Sequence, residues 1–407
     1  MSMSRLSINF GPYVGDTGDA VVPLEVIDHD MKQVWRQPCL LNQPISVSVQ
    51  PGTYLVRAHL PSGELVTAQT SVAENETKDV NLTPVNLSPR ETLAWAYYLK
   101  PAPWIGQPAP PEPKFEPSIF QSVMSVPYIP PPEIKFWIHK QVGGWKELPV
   151  DPAGPNQQRI SVKFDPSVQQ ADPRALMGMT VHSDDPARND PGQLWLQIRQ
   201  RNISQFVALP PGQNMRVLIL DDEPTALCMV DSENPRAEAL LGYLMSGDYG
   251  AARDVGEDVV QHAEKLLEDK ISDPGPAAIG AYYLLRAGRL DRLHDWTRNL
   301  ANWFPWMPDG AVICGWHLLR EPTPNLEQAL TWFLEAEQRG IPLYAQGLRL
   351  LFDGLRLFQA KFADEGGRLA KAVDRLRPYL AAARAGSGTT CFFGERPDRP
   401  DDTAESR

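Results

Sequence analysis

This chain of 407 residues is poor in the features that usually carry chemistry. Its four cysteines, Cys39, Cys228, Cys314 and Cys391, are scattered, and no two have the spacing of a metal knuckle or a redox motif. They read as free thiols in a reducing compartment. The seven histidines stand apart from one another, and the sequence has no HExxH helix, Gly-rich phosphate loop, dinucleotide fingerprint or nucleophile elbow. Cys314 and His317 would share one helix face, but nothing beside them supplies an orienting acid or an oxyanion hole. No dense Lys/Arg run occurs and the formal net charge is −11, so a general electrostatic grip on nucleic acid or an anionic membrane is not expected. No apolar run approaches the roughly 18 residues of a membrane span. The N-terminal residues lack the apolar core of a secretion signal. These absences lead to the expectation of a cytoplasmic, non-enzymatic protein with no metal or other cofactor.

Proline, by contrast, is abundant: 40 residues, about twice the usual share. Turn-rich β segments and linkers accommodate it. The length implies two to four domains, and composition changes along the chain suggest where they lie. Over residues 1–86, short alternating runs such as Leu6-Ile8-Phe10, Leu24-Val26, Ile45-Val47-Val49 and Tyr54-Val56 sit between turn residues, giving six or seven strands. The clearest hairpin reads Ile45 to Ala58, with Pro51-Gly52 supplying the dihedrals of a type II turn. The run Val49-Gln-Pro-Gly-Thr-Tyr-Leu-Val resembles the carboxypeptidase-regulatory, prealbumin-like β-sandwich family. That resemblance implies an accessory module without an active site.

Ser88-Pro-Arg-Glu91 opens a short helix over residues 87–100 with a capping box and proline at its first position. Eleven of residues 101–132 are proline, so 101–133 reads as an extended linker. Strand patterns return over 134–231, and Leu209-Pro-Pro-Gly-Gln-Asn-Met-Arg-Val echoes the earlier Pro-Gly phrase. Arg216 to Pro224 resembles the first strand and acidic pair of a response-regulator receiver domain. That fold needs further strands bearing an Asp and a Lys, whereas this chain turns into helices. Asp221 to Pro224 is therefore expected to join two strands by a turn.

Helical periodicity covers 232–385, opening at Ser232 or Asn234 ahead of Pro235. Turn signals fall at 247–252, 288–293 and 325–330. Ala281, Leu284, Gly288, Leu290, Leu300 and Pro305 make one unit; Gly315, Leu318, Ala329, Phe333 and Ala336 make the next. Small residues let two helices approach, and a bulky one a turn away fills the hole between them. Pro276 to Pro305 and Asp309 to Ile341 resemble the tetratricopeptide repeat. That resemblance implies a short α-solenoid whose first helices line a concave recognition face. The outward positions would be Tyr282, Leu285 and Arg286 in one repeat, and Val312, Trp316, Leu319 and Arg320 in the next. Arg286 and Arg320 fall at equivalent places and would suit an acidic or C-terminal segment of a partner. The aromatic cluster Trp296, Trp303, Phe304, Trp306 and Trp316 is expected to be structural. The tail 386–407 has no apolar periodicity and reads as disordered.

The expected fold class is multidomain all-β plus all-α: two antiparallel β-sandwich domains followed by a short TPR-like α-solenoid. The expected function is an adaptor or scaffold that recruits a protein partner, as accessory subunit to a separate enzyme of a bacterial multicomponent system. The alternative is a structural subunit of a larger assembly that uses its sandwiches for lateral contacts.

Overall fold

The computed structural model describes residues 4–10, 21–30, 32–40, 44–59, 65–82, 130–148, 160–165, 175–183, 192–210, 215–222, 224–231, 234–246, 257–361, 367–384 and 386–401. The expected helix over 87–100, most of the expected linker and the turn signal at 247–252 lie outside them.

The N-terminal unit has seven strands: β1 (Ser4–Phe10), β2 (Val21–Asp28), β3 (Gln33–Leu40), β4 (Ile45–Val49), β5 (Gly52–His59), β6 (Leu65–Val72) and β7 (Thr77–Leu82). They form two sheets, ordered β4-β1-β7 and β3-β2-β5-β6. Period-two alternation puts Leu6, Ile8, Val47, Val49, Val80 and Leu82 of one sheet in a single cluster with Leu24, Val26, Tyr54, Val56 and Ala58 of the other. On the reverse face of the second sheet, Glu25 and Arg57 sit opposite each other and pair at 3.0 Å.

Two expectations need correction. The sandwich is not purely antiparallel, because β1 runs parallel to β7. Ile45 to Ala58 is not a hairpin either: β4 pairs with β1, whereas β5 pairs with β2 and β6. Pro51 and Gly52 instead carry the chain from one sheet to the other. Gly52 also lies outside the positive-φ glycines, so the type II geometry is absent. The Tyr54 hydroxyl donates to Gln50 O at 2.7 Å and fastens this corner. A hairpin would place Val49 and Tyr54 side by side in one sheet, whereas the crossover lets both line the core between sheets.

The second β unit contributes β8 (Glu133–Lys140), β9 (Gly144–Leu148), β10 (Ile160–Phe164), β11 (Ala175–Ser183), β12 (Gln193–Gln200), β13 (Ile203–Leu209), β14 (Met215–Asp222) and β15 (Thr225–Asp231). The chain's end adds β16 (Cys391–Arg396) and β17 (Arg399–Pro400). One sheet runs β10-β11-β14-β15 and the other β17-β16-β13-β12-β8-β9. Asp221 and Asp222 end β14 in an antiparallel hairpin with β15, as a turn requires and a receiver's parallel sheet would not. The second Pro-Gly phrase also falls between strands of different sheets, β13 and β14. The expected disordered tail is wrong over 391–400. Phe392 is fully buried between Phe206 and Trp195, and β16 pairs with β13. Burial of Phe392 and Phe393, added to the β16–β13 pairing, offsets the entropy lost on ordering this segment.

Helices follow: α1 (Pro235–Ser246), α2 (Glu257–Glu268), α3 (Pro274–Ala287), α4 (Trp296–Trp303), α5 (Pro308–Arg320), α6 (Leu326–Arg339), α7 (Ala345–Lys361) and α8 (Arg368–Ala381). Asn234 caps α1, its side chain accepting from Ala237 N at 3.2 Å. On α6, Ala329, Phe333 and Ala336 are all fully buried. The Phe333 ring lies against Gly315 of α5 and Gly354 of α7. A Cβ at either glycine would come within 3.0 Å of it, so both must stay small for three helices to close on one ring.

The six-stranded sheet is covered on both faces. Leu194, Leu196, Ile198, Val207 and Leu209 pack on the opposite sheet, while Trp195, Phe206, Ala208 and Phe392 belong to the core of the helices. This explains why β13 is buried at every position and reads as continuous rather than alternating. Polar residues on the helix side are paired: Gln197 accepts from Trp137 Nε1 and donates to Ser204 Oγ, both at 2.8 Å.

Candidate functional site

Of the seven residues expected on an open recognition face, three are interior. Tyr282, Leu285 and Val312 are at most 1% exposed. For Tyr282 the physical cause lies in α7. Its first turn abuts Tyr282, so that a Cβ at Gly347 would collide with the Tyr282 hydroxyl. Of the other four, Arg286, Trp316 and Leu319 are half-buried and Arg320 is exposed. Trp316 Nε1 donates to Leu350 O at 2.9 Å. Arg320 Nη1 donates to Leu285 O at 2.5 Å, and its guanidinium lies 5.3 Å from the Trp316 ring centre. This places Arg320 at the C-terminal end of α3, where the helix carbonyls favour a cation. Burial lowers the Arg320 pKa, and the charge of Arg286 lowers it further. Arg286 is thus near enough for its charge to act on Arg320.

The aromatic cluster divides. Phe304 and Trp306 are buried, whereas Trp303 is 50% exposed. Trp296 and Trp303 flank the buried Lys270 ammonium, with ring centres at 5.0 and 5.4 Å. Cys314 and His317 make no dyad geometry. His317 Nδ1 is bonded to Thr297 Oγ1, and burial pushes the Cys314 thiol up to about 11.

Sequence reading missed Asp309, the second residue of α5, which is fully buried. Its carboxylate accepts from Tyr282 Oη at 2.9 Å, Leu343 N at 2.8 Å and Tyr344 N at 3.3 Å. Burial pushes this carboxyl up to about 6, against the downward pull of those donors. Tyr282 and Tyr344 are pushed well above the usual tyrosine range, by burial first and then by neighbouring acids. The cluster is closed to solvent and acts as a staple. It fixes residues 342–345, and the C-terminal segment docks on them. Thr390 N donates to Leu343 O at 2.7 Å, Thr390 Oγ1 to Pro342 O at 2.6 Å, and Ala345 N to Gly388 O at 3.1 Å.

A cleft of about 300 Å³ opens beside that segment, between α1, α7, the end of α8 and residues 386–391. Leu241, Leu244, Leu348 and Leu380 supply its apolar lining, and Gln346 and Arg349 its polar edge. Arg384 also lines it but is anchored, with Nη1 donating to Thr225 Oγ1 and Ala226 O at 3.0 and 2.9 Å. No carboxylate occurs among the described residues lining the cleft. Gln346 Nε2 is buried and has no acceptor among the described residues. Little in the sequence pointed here, because the lining comes from three separated stretches. The one legible sign was the apolar triplet Cys391-Phe392-Phe393 within a polar tail.

Residues 239–407, less than half of the chain, match a family model described as the Y4kD C-terminal domain. A 102-residue stretch is 31% identical to a protein of a Desulfuromonadales bacterium described as a probable protease. That stretch covers 25% of this chain but only 12% of the relative, so the chain spans about an eighth of the relative's length. No solved structure matches. Among the described residues, no helix is long and apolar enough to cross a membrane and no cluster of His, Cys, Asp or Glu could hold a metal.

Proposed function

We propose that this chain is a non-enzymatic adaptor, working in the cytoplasm, that recruits or positions a protein partner through its helical domain. The observation that carries this reading is Arg320 lying against the Trp316 ring at the C-terminal end of α3, with Arg286 near enough for its charge to lower the Arg320 pKa. Two nearby guanidiniums that repel each other bind a carboxylate more readily than either would alone. The ring beside Arg320 supplies the apolar anchor common at protein interfaces. The partner surface is thus smaller than a concave groove and consists of Arg286, Trp316, Leu319 and Arg320. It suits an acidic or C-terminal segment of another protein.

The spacing of Gly315, Ala329, Phe333 and Ala336 around one filled hole supports a repeat-like, solenoid origin for the α5–α6 hairpin. A short shared stretch within a far longer protein described as a probable protease fits an accessory module beside a separate enzyme. The N-terminal sandwich fits an accessory role of the prealbumin-like kind.

The test is affinity capture with the full-length chain in its native cell, compared with an Arg286→Glu/Arg320→Glu variant. The double substitution should abolish recovery of a specific protein while shifting Tm by no more than a few degrees. Recovery at parental level would remove this surface from consideration. Large homomers in size-exclusion chromatography would favour a structural subunit.

A further inference from the structure

We infer that the cleft between α1, α7, α8 and residues 386–391 is a binding site for a small amphipathic carboxylate, with its aliphatic part among the leucines and its anionic end at Arg349. This site is separate from the arginine pair of the adaptor reading and does not depend on it.

Three observations carry the inference. The first is charge. The chain as a whole is at −11, yet the described lining of this cleft holds two arginines and no carboxylate. Such a reversal selects an anion. Arg384 is committed to Thr225 and Ala226, so its charge is fixed in place. Arg349 is exposed on α7 and has no ion-pair partner among the described residues, so it can swing onto a ligand.

The second is the unused donor. Gln346 lines the cleft, and its Nε2 is buried without an acceptor among the described residues. A buried donor without a partner is costly, and rotation of the side-chain amide toward a ligand oxygen would satisfy it. The third is size and lining. A volume of about 300 Å³ is at the small end of ligand cavities, and it is lined mostly by apolar side chains with a few polar groups. At roughly 30 Å³ per non-hydrogen atom, by analogy with water's share of its liquid, that is space for about ten such atoms. A medium-chain carboxylate fills it, whereas a nucleotide does not.

The walls also give binding a consequence. Residues 386–391 form one wall and lead directly into β16, while Gln346 and Leu348 lie just beyond the stretch that Asp309 staples. A bound carboxylate therefore joins α1 and α7 to the docked C-terminal segment. Binding to the folded state alone must raise its stability by mass action.

The test uses the full chain and sodium octanoate, which has ten non-hydrogen atoms, followed by calorimetry and thermal unfolding. Saturable binding to one site is expected with Kd on the order of 0.1–1 mM, as a ligand of that size allows, and with a rise in Tm. Octanol should bind at least about tenfold more weakly, and octylammonium should not bind. Arg349→Gln should bring octanoate down to the level of octanol, and Ala345→Trp, which adds bulk to the lining, should abolish binding. The inference is overturned if octanoate and octanol bind alike, or if Ala345→Trp leaves binding intact. It is equally overturned if no saturable binding occurs well above that concentration. A leucine-terminated hexapeptide that outcompetes octanoate only as its free acid would assign the cleft to a polypeptide end instead.

Discussion

Placing a methyl group at position 347 tests whether the buried Asp309 cluster holds the start of α7. Taken alone, Gly→Ala inside a helix is favourable by up to about 1 kcal/mol. Here the added carbon would land on the Tyr282 hydroxyl, 2.7 Å from Asp309 Oδ1 and 2.9 Å from Pro342 Cβ. None of these can step aside, because Tyr282 and Asp309 are fully buried and bonded to each other at 2.9 Å. Overpacking of this kind costs about 1–3 kcal/mol, and losing a hydrogen bond to a charged acceptor costs about 1.5–3 kcal/mol more. After subtracting the propensity gain, Gly347→Ala should destabilise the chain by about 1.5–5 kcal/mol. Urea unfolding followed by tryptophan fluorescence would measure it. Tyr282→Phe is itself destabilising, but it removes the nearest obstacle, so the double variant should be more stable than the sum of the singles by at least about 1 kcal/mol. A Gly347→Ala protein as stable as its parent would refute the reasoning, as would a cycle additive within about 0.5 kcal/mol.

The same cluster predicts a pH dependence. The folded pKa of Asp309, about 6, exceeds the roughly 3.9 of an unfolded aspartate, so the folded chain holds the proton more tightly. The stability this confers is complete below about pH 4 and disappears as pH rises through 6, a loss of up to about 3 kcal/mol. The stability difference between the parent and Asp309→Asn should therefore shrink by that order between pH 4 and 7; a constant difference would contradict the assignment. At the chain's end, Phe392 sits within 5.5 Å of the Phe206, Trp195 and Tyr379 rings. Phe392→Ala should cost about 3–5 kcal/mol. A fragment of residues 232–385, which lacks β16 and the sheet it joins, should unfold without cooperativity, whereas residues 130–407 should unfold with it. Equal cooperativity in the two would show that the helices stand alone.

Much of the β architecture was legible because strand alternation is local. The runs around Leu6, Leu24, Tyr54, Leu194 and Met215 are all strands, and in the first three alternate residues face one sandwich core. Pairing was not legible. Pro51-Gly52 has hairpin chemistry, and only the competition for two sheet edges turned it into a crossover. The helical pattern located Ala329, Phe333, Ala336 and Gly288 well, since capping and small-residue packing act within one or two turns. The face of each helix was harder to assign. Tyr282, Leu285 and Val312 would be outward on an isolated hairpin but are interior here, Tyr282 because α7 packs on it.

By itself the sequence determined what depends on neighbours along the chain: strands at period two, a helix start just ahead of Pro235, and the small residues that let helices close. The turn signal at 325–330 was wrong beyond its first residue, because Asn325 caps α6, accepting from Gln328 N at 3.1 Å, and 326–330 are helical. Tertiary structure alone decided what depends on partners far away. It drew Cys391 to Arg396 from an apparently loose tail into a six-stranded sheet, buried Asp309 between three stretches of chain, and left a cationic cleft where α1, α7 and that returning segment meet. The reason is that burial and pairing energies are set by whatever surface a segment finally meets. Two phenylalanines in a polar tail carry the same local signal whether or not a sheet edge is waiting for them.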